Sequence, residues 1–481
     1  MRGWLRTADF DYVLPPELIA QTPLEARSDA RLLVLARASG TMAHRRVSDL
    51  PVLLHPHDLL VLNDTRVLPA RLFARRPTGG RVELLLLQPE PDSYDPAHPV
   101  TGGAQGAVGA VGAGRLTTDQ SGPPAPTAQV TAMPAAVPSG AAGPGRRSGE
   151  SPGAAEWPGR PAAGASAVWR ALARPLQRVR LNEPLTVETA RASDLGQGVA
   201  PGRSGGPPVS AASSHPCAGL ARAGVEADAA SAVAAGGGRP AWVVPGTAAP
   251  VTVEITAVLG DGLVRVVFHG LPPTADGVPD LLRRHGVMPL PPYIHARLQD
   301  PERYQTVYAR HDGSAAAPTA GLHFTPTLLG ELGAAGIAIT YVTLHVGLGT
   351  FRPVSADRPE QHRMHAEWFC IPESAATAIA ACRRRGGRVI AVGTTVTRTL
   401  EAAAIGRGEV KPGEGWTDLY ILPGRPFAVI DGLMTNFHLP RSTLLMLVAA
   451  FAGREPVLAA YAEAVARRYR FFSFGDAMLL I

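Results

Sequence analysis

Two histidines fall where secondary-structure elements are expected to end, each close to glycine. His323 lies in A-P-T-A-G-L-H-F-T (317–325), just before a helix start with Thr325 as N-cap and Pro326 in the first turn. His345 lies in V-T-L-H-V-G-L-G-T-F-R-P-V (342–354), where an apolar strand stops at Gly347 and Gly349. Imidazole exchanges protons near neutral pH, and glycine lets backbone approach a ligand closely. The pairing suggests a polar ligand site. Asn63-Asp64-Thr65-Arg66 ends a second apolar strand, a place where ligand-binding loops concentrate. There Asp64 suits a sugar hydroxyl and Arg66 a carboxylate or phosphate, although a turn with an internal Asp–Arg pair fits the same residues.

Further groups are possible contributors. Q-H-R-M-H-A-E-W-F (361–369) places His362, His365 and Glu367 within six residues. That is too few donors for a metal site, and no metal is expected; a polar substrate role and plain surface histidines remain open. Gly393-Thr394-Thr395 ends a strand ahead of a helix bearing Arg398 and Glu401. Its free amides and two hydroxyls suit a carboxylate or phosphate, with simple capping by Thr395 as the alternative. Thr435 to Arg441 reads T-N-F-H-L-P-R, and His438 there either faces substrate or satisfies loop backbone. R-R-Y-R-F-F-S-F-G-D (467–476) mixes cations and rings, which suits phosphate contact and base stacking through Arg467, Arg468 and Arg470. The same Phe residues serve equally well as core.

Several classes are disfavoured. The sole lysine, Lys411 in E-V-K-P, is not part of a phosphate-binding G-K-[ST] loop, and no H-E-x-x-H occurs. The Gly347-Leu348-Gly349 run is followed by Arg352-Pro353-Val354 rather than a helix, against a dinucleotide fingerprint. Cys217, Cys370 and Cys382 form no C-x-x-C pair, which fits a reducing, cytoplasmic setting. The longest late apolar run, Leu444 to Gly453, has ten residues and cannot span a bilayer, so no membrane partner is expected.

The elements that must position these residues divide the chain of 481. About 92–167 and 191–250 are mostly Ala, Gly, Pro, Ser and Thr without hydrophobic period, and are expected to lack a packed core. The first carries four Arg against five acids and the second four against three, so they cancel and the net +6 belongs to the remainder. Moderate basicity there suits a polyanionic partner. Strands are expected at 31–36, 58–62, 82–87, 168–174, 251–259 and 264–268, and a short helix from about Pro16. Further on come a helix at 328–335, a strand at 338–345, a helix at 374–385, a strand at 388–393, a helix from near Val396, a strand at 418–422, and helices at 443–451 and 456–468. The expected fold class is multidomain α+β/α/β. A large mixed-sheet α/β domain (1–68 and 269–481) is interrupted by a small β-barrel domain (69–268) carrying both low-complexity inserts.

Many strings in this order resemble one family. They include L-P-P-E-L-I-A-Q (14–21), D-L-L-V-L-N-D-T-R-V-L-P-A-R-L (58–72), M-P-L-P-P-Y-I (288–294), E-R-Y-Q-T-V-Y (302–308) and H-R-M-H-A-E (362–367), with both histidine strings above. V-I-A-V-G-T-T (389–395), G-W-T-D-L-Y-I (415–421), M-T-N-F-H-L-P-R-S-T-L (434–444) and Y-R-F-F-S-F-G-D-A-M-L (469–479) complete the set. The family is the S-adenosylmethionine:tRNA ribosyltransferase-isomerases of queuosine biosynthesis. The resemblance implies an α/β domain with an inserted β-barrel. It also implies a monomer without prosthetic group that uses S-adenosylmethionine as co-substrate and a tRNA with a deazaguanine-modified anticodon. The two inserts and Thr397, where a small apolar residue is usual, depart from the pattern.

The implied reaction moves the ribosyl group to a 7-aminomethyl-7-deazaguanine and rearranges it to an epoxycyclopentane, releasing adenine and methionine. It needs a base near the sulfonium, an acid for adenine and an unprotonated amine. His323 and His345 are the first candidates for these tasks, then His365 with Glu367. Asp64 is the candidate for ribose hydroxyls, and Thr394, Thr395 and Arg66 for methionine carboxylate or RNA phosphate, beside Gly347 and Gly349. Tyr293 or Trp416 suits the sulfonium, and Arg441, Arg467, Arg468 and Arg470 suit RNA. A methyltransferase that uses S-adenosylmethionine on RNA and a noncatalytic RNA-binding relative are the rival classes.

Overall fold

The computed structural model describes residues 5–89, 167–176, 180–188, 250–260, 262–271, 277–347 and 354–481. The two low-complexity stretches, apart from Ala167 and Pro250 at their edges, lie outside the described residues, as does Gly349.

A mixed α/β architecture is built on a nine-stranded mixed sheet. From edge to edge it runs Gly413–Thr417, Glu367–Ile371, Ala338–Leu344, Leu59–Asn63, Val389–Val392, Gly432–Asn436, Ala477–Leu480, Arg31–Leu35 and Met42–Arg46. The four strands from Ala338–Leu344 to Gly432–Asn436 are mutually parallel. Leu59–Asn63 is buried along its whole length because both faces of the sheet are covered. Its side chains alternate accordingly. Leu59 and Val61 join the core beneath the helices Glu373–Arg384, Thr394–Ala402 and Thr443–Ala452, whereas Leu60 and Leu62 meet Leu328 and Leu332 of helix Pro326–Ala334 on the other face. Val389 and Ala391 against Ile390 and Val392 repeat that division.

Six further strands pair antiparallel in a closed ring: Leu263–His269, Ala167–Arg174, Arg81–Pro89, Arg71–Arg75, Pro184–Glu188 and Thr252–Gly260. Every second residue turns inward, so Leu72, Val82, Leu84, Trp169, Ala171, Val253, Ile255, Val264 and Val266 share one core. Helix Gly277–His285 adds Val278, Leu281 and Leu282 to it.

Thr325 does cap helix Pro326–Ala334, accepting from the Leu328 amide at 3.1 Å. Other local expectations change. The expected helix at Pro16 is a three-residue 3-10 turn, Pro16–Leu18. The expected strand at 418–422 is not one: Leu419, Tyr420, Ile421 and Leu422 owe their apolarity to packing on the core as a loop. The edge strand is instead Gly413–Thr417, whose G-E-G-W-T gives no alternation to read. The helix expected near Val396 starts at Thr394, and Gly393, at φ +97°, takes the N-cap place offered to Thr395. Among the described residues no single helix is long and apolar enough to cross a membrane.

Candidate functional site

The four parallel strands end on one edge of the sheet, so Asp64, His345, Gly393 and the residues after Asn436 emerge side by side. In open α/β sheets that edge is where ligands bind. A cleft of about 630 Å³, open to solvent, lies along it. Thr394, Thr395, Thr319, Asn436, His438 and Tyr293 supply its polar wall; Val346, Phe437, Leu439 and Phe472 supply the apolar one. The hydroxyls of Tyr293 and Ser473 meet at 2.7 Å, and burial pushes the Tyr293 phenol up to about 12.

His323 stands behind this wall, 5 % exposed. Its Nε2 faces the Asn436 amide nitrogen at 3.3 Å, and the Asn436 oxygen accepts from Thr319 Oγ1 at 3.0 Å. Burial pushes the His323 imidazole down to about 4, more than Asp476 raises it.

Beside the cleft lies a second cluster. Thr65 Oγ1 meets His345 Nδ1 at 2.8 Å, and the His345 ring stacks on Trp368 at 4.9 Å between centroids. Burial, then the proximity of His311, brings His345 down to about 3. Asp64 accepts from Thr343 Oγ1 at 2.7 Å and faces His311 Nε2 at 3.6 Å. Burial raises the Asp64 carboxyl, and Thr343, His311 and Arg310 offset part of that. Asn63 links this cluster to the cleft: its amide nitrogen donates to the Leu344 carbonyl at 3.0 Å and to Thr395 Oγ1 at 3.4 Å.

The remaining candidates separate. Glu367 is buried against the Arg398 guanidinium and accepts from the Gly347 amide at 2.8 Å, which ties the end of the His345 strand to helix Thr394–Ala402. His365 is exposed two residues before Glu367 and is not part of that pair. Arg66 forms a surface ion pair with Glu302 at 2.5 Å. Arg441 pairs with Asp11, Arg467 with Glu463, and Arg470 donates to the Thr22 carbonyl, whereas Arg468 is exposed at φ +55°. Trp416 is 58 % exposed on the edge strand. Sequence reasoning missed His311, brought opposite Thr65 by the parallel pairing of His311–Ser314 with Thr65–Val67, and gave no signal for it. Arg398 as the partner of Glu367 was also missed. Its one signal was its charge, shared only with Glu401, on helix Thr394–Ala402. Among the described residues no group of three or more His, Cys, Asp or Glu is placed to hold a metal.

A helix-covered sheet with a polar cleft at the carboxyl ends of its parallel strands is the construction of an α/β enzyme. The family model described as "Queuosine biosynthesis protein" matches residues 7–117 and 220–480, and the chain belongs to that family. Curated relatives named S-adenosylmethionine:tRNA ribosyltransferase-isomerase come from Symbiobacterium thermophilum, 41 % identical over 479 residues, and Pelotomaculum thermopropionicum, 41 % identical over 478. Each alignment covers 99 % of this chain and 100 % of the relative. The crystal structure of an S-adenosylmethionine tRNA ribosyltransferase from Thermotoga maritima is 29 % identical and covers 98 % of this chain and 100 % of its own; at a TM-score of 0.41 it carries no fold argument.

Proposed function

We propose that this chain transfers and isomerises the ribosyl group of S-adenosylmethionine onto 7-aminomethyl-7-deazaguanine at the tRNA wobble position, giving epoxyqueuosine-tRNA, adenine and methionine. The observation that carries this reading is the 41 % identity to enzymes of that name along their entire length. The cleft at the strand ends supports it. Apolar walls suit an adenosyl group, and the amide-bearing start of helix Thr394–Ala402 with Thr394 and Thr395 suits the methionine carboxylate.

His345, oriented by Thr65, and His323, facing Asn436, are the imidazoles that handle protons. Asp64 addresses ribose hydroxyls from the neighbouring cluster; Glu367 and Gly347 hold the strand end in place. Arg467, Arg468, Arg470 and Arg441 contact RNA phosphate, with His365 and Arg66 at the surface that tRNA approaches. The six-stranded ring is a barrel domain at 69–268 inserted into an α/β domain of 1–68 and 269–481, and the enzyme works as a cytoplasmic monomer.

Incubation with deazaguanine-bearing tRNA and S-adenosylmethionine tests the reaction. Free adenine and the mass gain of the nucleoside are expected, and S-adenosylhomocysteine would instead identify a methyltransferase. His323→Ala and His345→Ala should each lower turnover by about 100-fold or more with the fold intact. Near-normal rates in both would remove these histidines from the mechanism.

A further inference from the structure

Among the described residues, His438 is the one histidine in the wall of the cleft. It is held at three points: Nε2 meets Thr435 Oγ1 at 2.8 Å, the backbone amide donates to Tyr461 Oη at 2.9 Å, and the carbonyl accepts from Tyr12 Oη at 2.5 Å. Its Nδ1 has no hydrogen-bond partner among the described residues.

Most neighbouring polar groups are already engaged. The Asn436 amide nitrogen donates to the Phe472 carbonyl at 3.1 Å besides facing His323, and its oxygen is taken by Thr319. The Ser442 hydroxyl donates to the Leu439 carbonyl at 2.7 Å and caps the Leu445 amide at 3.2 Å. Tyr293 and Ser473 face each other. An imidazole fixed on one side and open on the other, among neighbours that mostly bond one another, is a preorganised contact for a ligand.

We propose that His438 hydrogen-bonds the adenosyl part of S-adenosylmethionine through Nδ1, and that Thr435 is the positioning residue that fixes its ring. The proposal rests on the ribosyl-transfer reading for the identity of the ligand. Around it the Tyr293 and Phe472 rings lie 4.8 Å apart at 54°, and Phe437, Leu439 and Val346 complete an apolar surface of the kind that accepts a purine nucleoside. Burial brings His438 down to about 3, so the ring is neutral at working pH and does not repel the sulfonium.

Calorimetric binding of S-adenosylmethionine and of 5′-methylthioadenosine, which lacks the amino-acid arm, tests this on the full chain. His438→Ala is expected to weaken both ligands by about the same factor, roughly tenfold, the cost of one hydrogen bond. His438→Asn, whose carboxamide stands near the Nδ1 position, should stay within about threefold of the wild type, and Thr435→Val should fall between them. Thermal unfolding accompanies each variant, and if His438→Ala melts early, His438→Asn and Thr435→Val decide. Unchanged affinity in His438→Ala overturns the proposal. So does weakening confined to S-adenosylmethionine, or an Asn variant as weak as Ala with a normal melt. A wild-type protein that binds both ligands yet releases no adenine from tRNA reactions would overturn the ribosyl-transfer reading and leave the His438 contact standing.

Discussion

Asn63 joins two strand ends through one carboxamide. Its oxygen accepts from the Thr65 and Leu344 amides, both at 3.1 Å, while its nitrogen donates to the Leu344 carbonyl and reaches Thr395. All of this is buried, so Asn63→Ala strands backbone groups that water does not reach. Urea unfolding should show a loss of about 2–4 kcal/mol, since each orphaned buried group costs about 1–3. A loss below about 1 kcal/mol would mean the strand ends are held by something else. Because Thr65 in turn holds His345, the same variant should lower turnover. His323, His345 and Asp64 were visible in the sequence as polar residues at element ends. Their pairings with Asn436, Thr65 and His311 were not, because each joins segments far apart in the chain.

At the scale of elements, the Glu367–Arg398 pair couples strand Glu367–Ile371 to helix Thr394–Ala402, and Arg398 also donates to the carbonyls of Leu419 at 2.9 Å and Thr417 at 3.3 Å. Both members are almost fully buried. Removing one partner leaves the other charge in a poorly solvated place, so Arg398→Met should cost about 3–5 kcal/mol. Combined with Glu367→Gln, the loss should be smaller than the sum of the single losses, and a denaturant double-mutant cycle reads that difference. Strict additivity would show that the two side chains do not interact. The element pattern separates Glu367 from His365, its neighbour in sequence. Close spacing in sequence suggests a pair, but the strand begins at Glu367 and turns it inward, while His365 stays in the exposed approach.

Across the whole molecule, three partly or fully desolvated imidazoles make stability depend on acid. His323, His345 and His438 titrate near 6.5 in an unfolded chain and at about 4, 3 and 3 when folded. Between those values the unfolded state binds more protons. The stability present above pH 6.5 is therefore lost progressively as pH falls toward 4, by up to about 1.4 kcal/mol per pH unit for each histidine. Asp64, whose carboxyl is raised by burial, acts in the opposite sense: its contribution is present at low pH and lost as pH rises through its folded value. The urea midpoint should accordingly drop between pH 7 and 5, and a flat midpoint would mean these rings are solvated.

Local physics decided much from sequence alone. Apolar runs announced strands, Thr325 and Pro326 announced a helix start, and polar residues after the apolar strands marked the ligand edge. These features depend on neighbours a few residues away, within reach of periodicity and capping rules. The order of strands depends instead on partners that lie tens to hundreds of residues apart in the chain. Only the tertiary structure set the ends of Leu59–Asn63, Ala338–Leu344, Val389–Val392 and Gly432–Asn436 side by side. That adjacency put His438 in the cleft wall and His323 behind it, while other long-range pairings gave Glu367 to Arg398 and brought His311 to Asp64. It also turned the apolar 418–422 segment into a packed loop, because burial against a core asks for the same residues as a strand does.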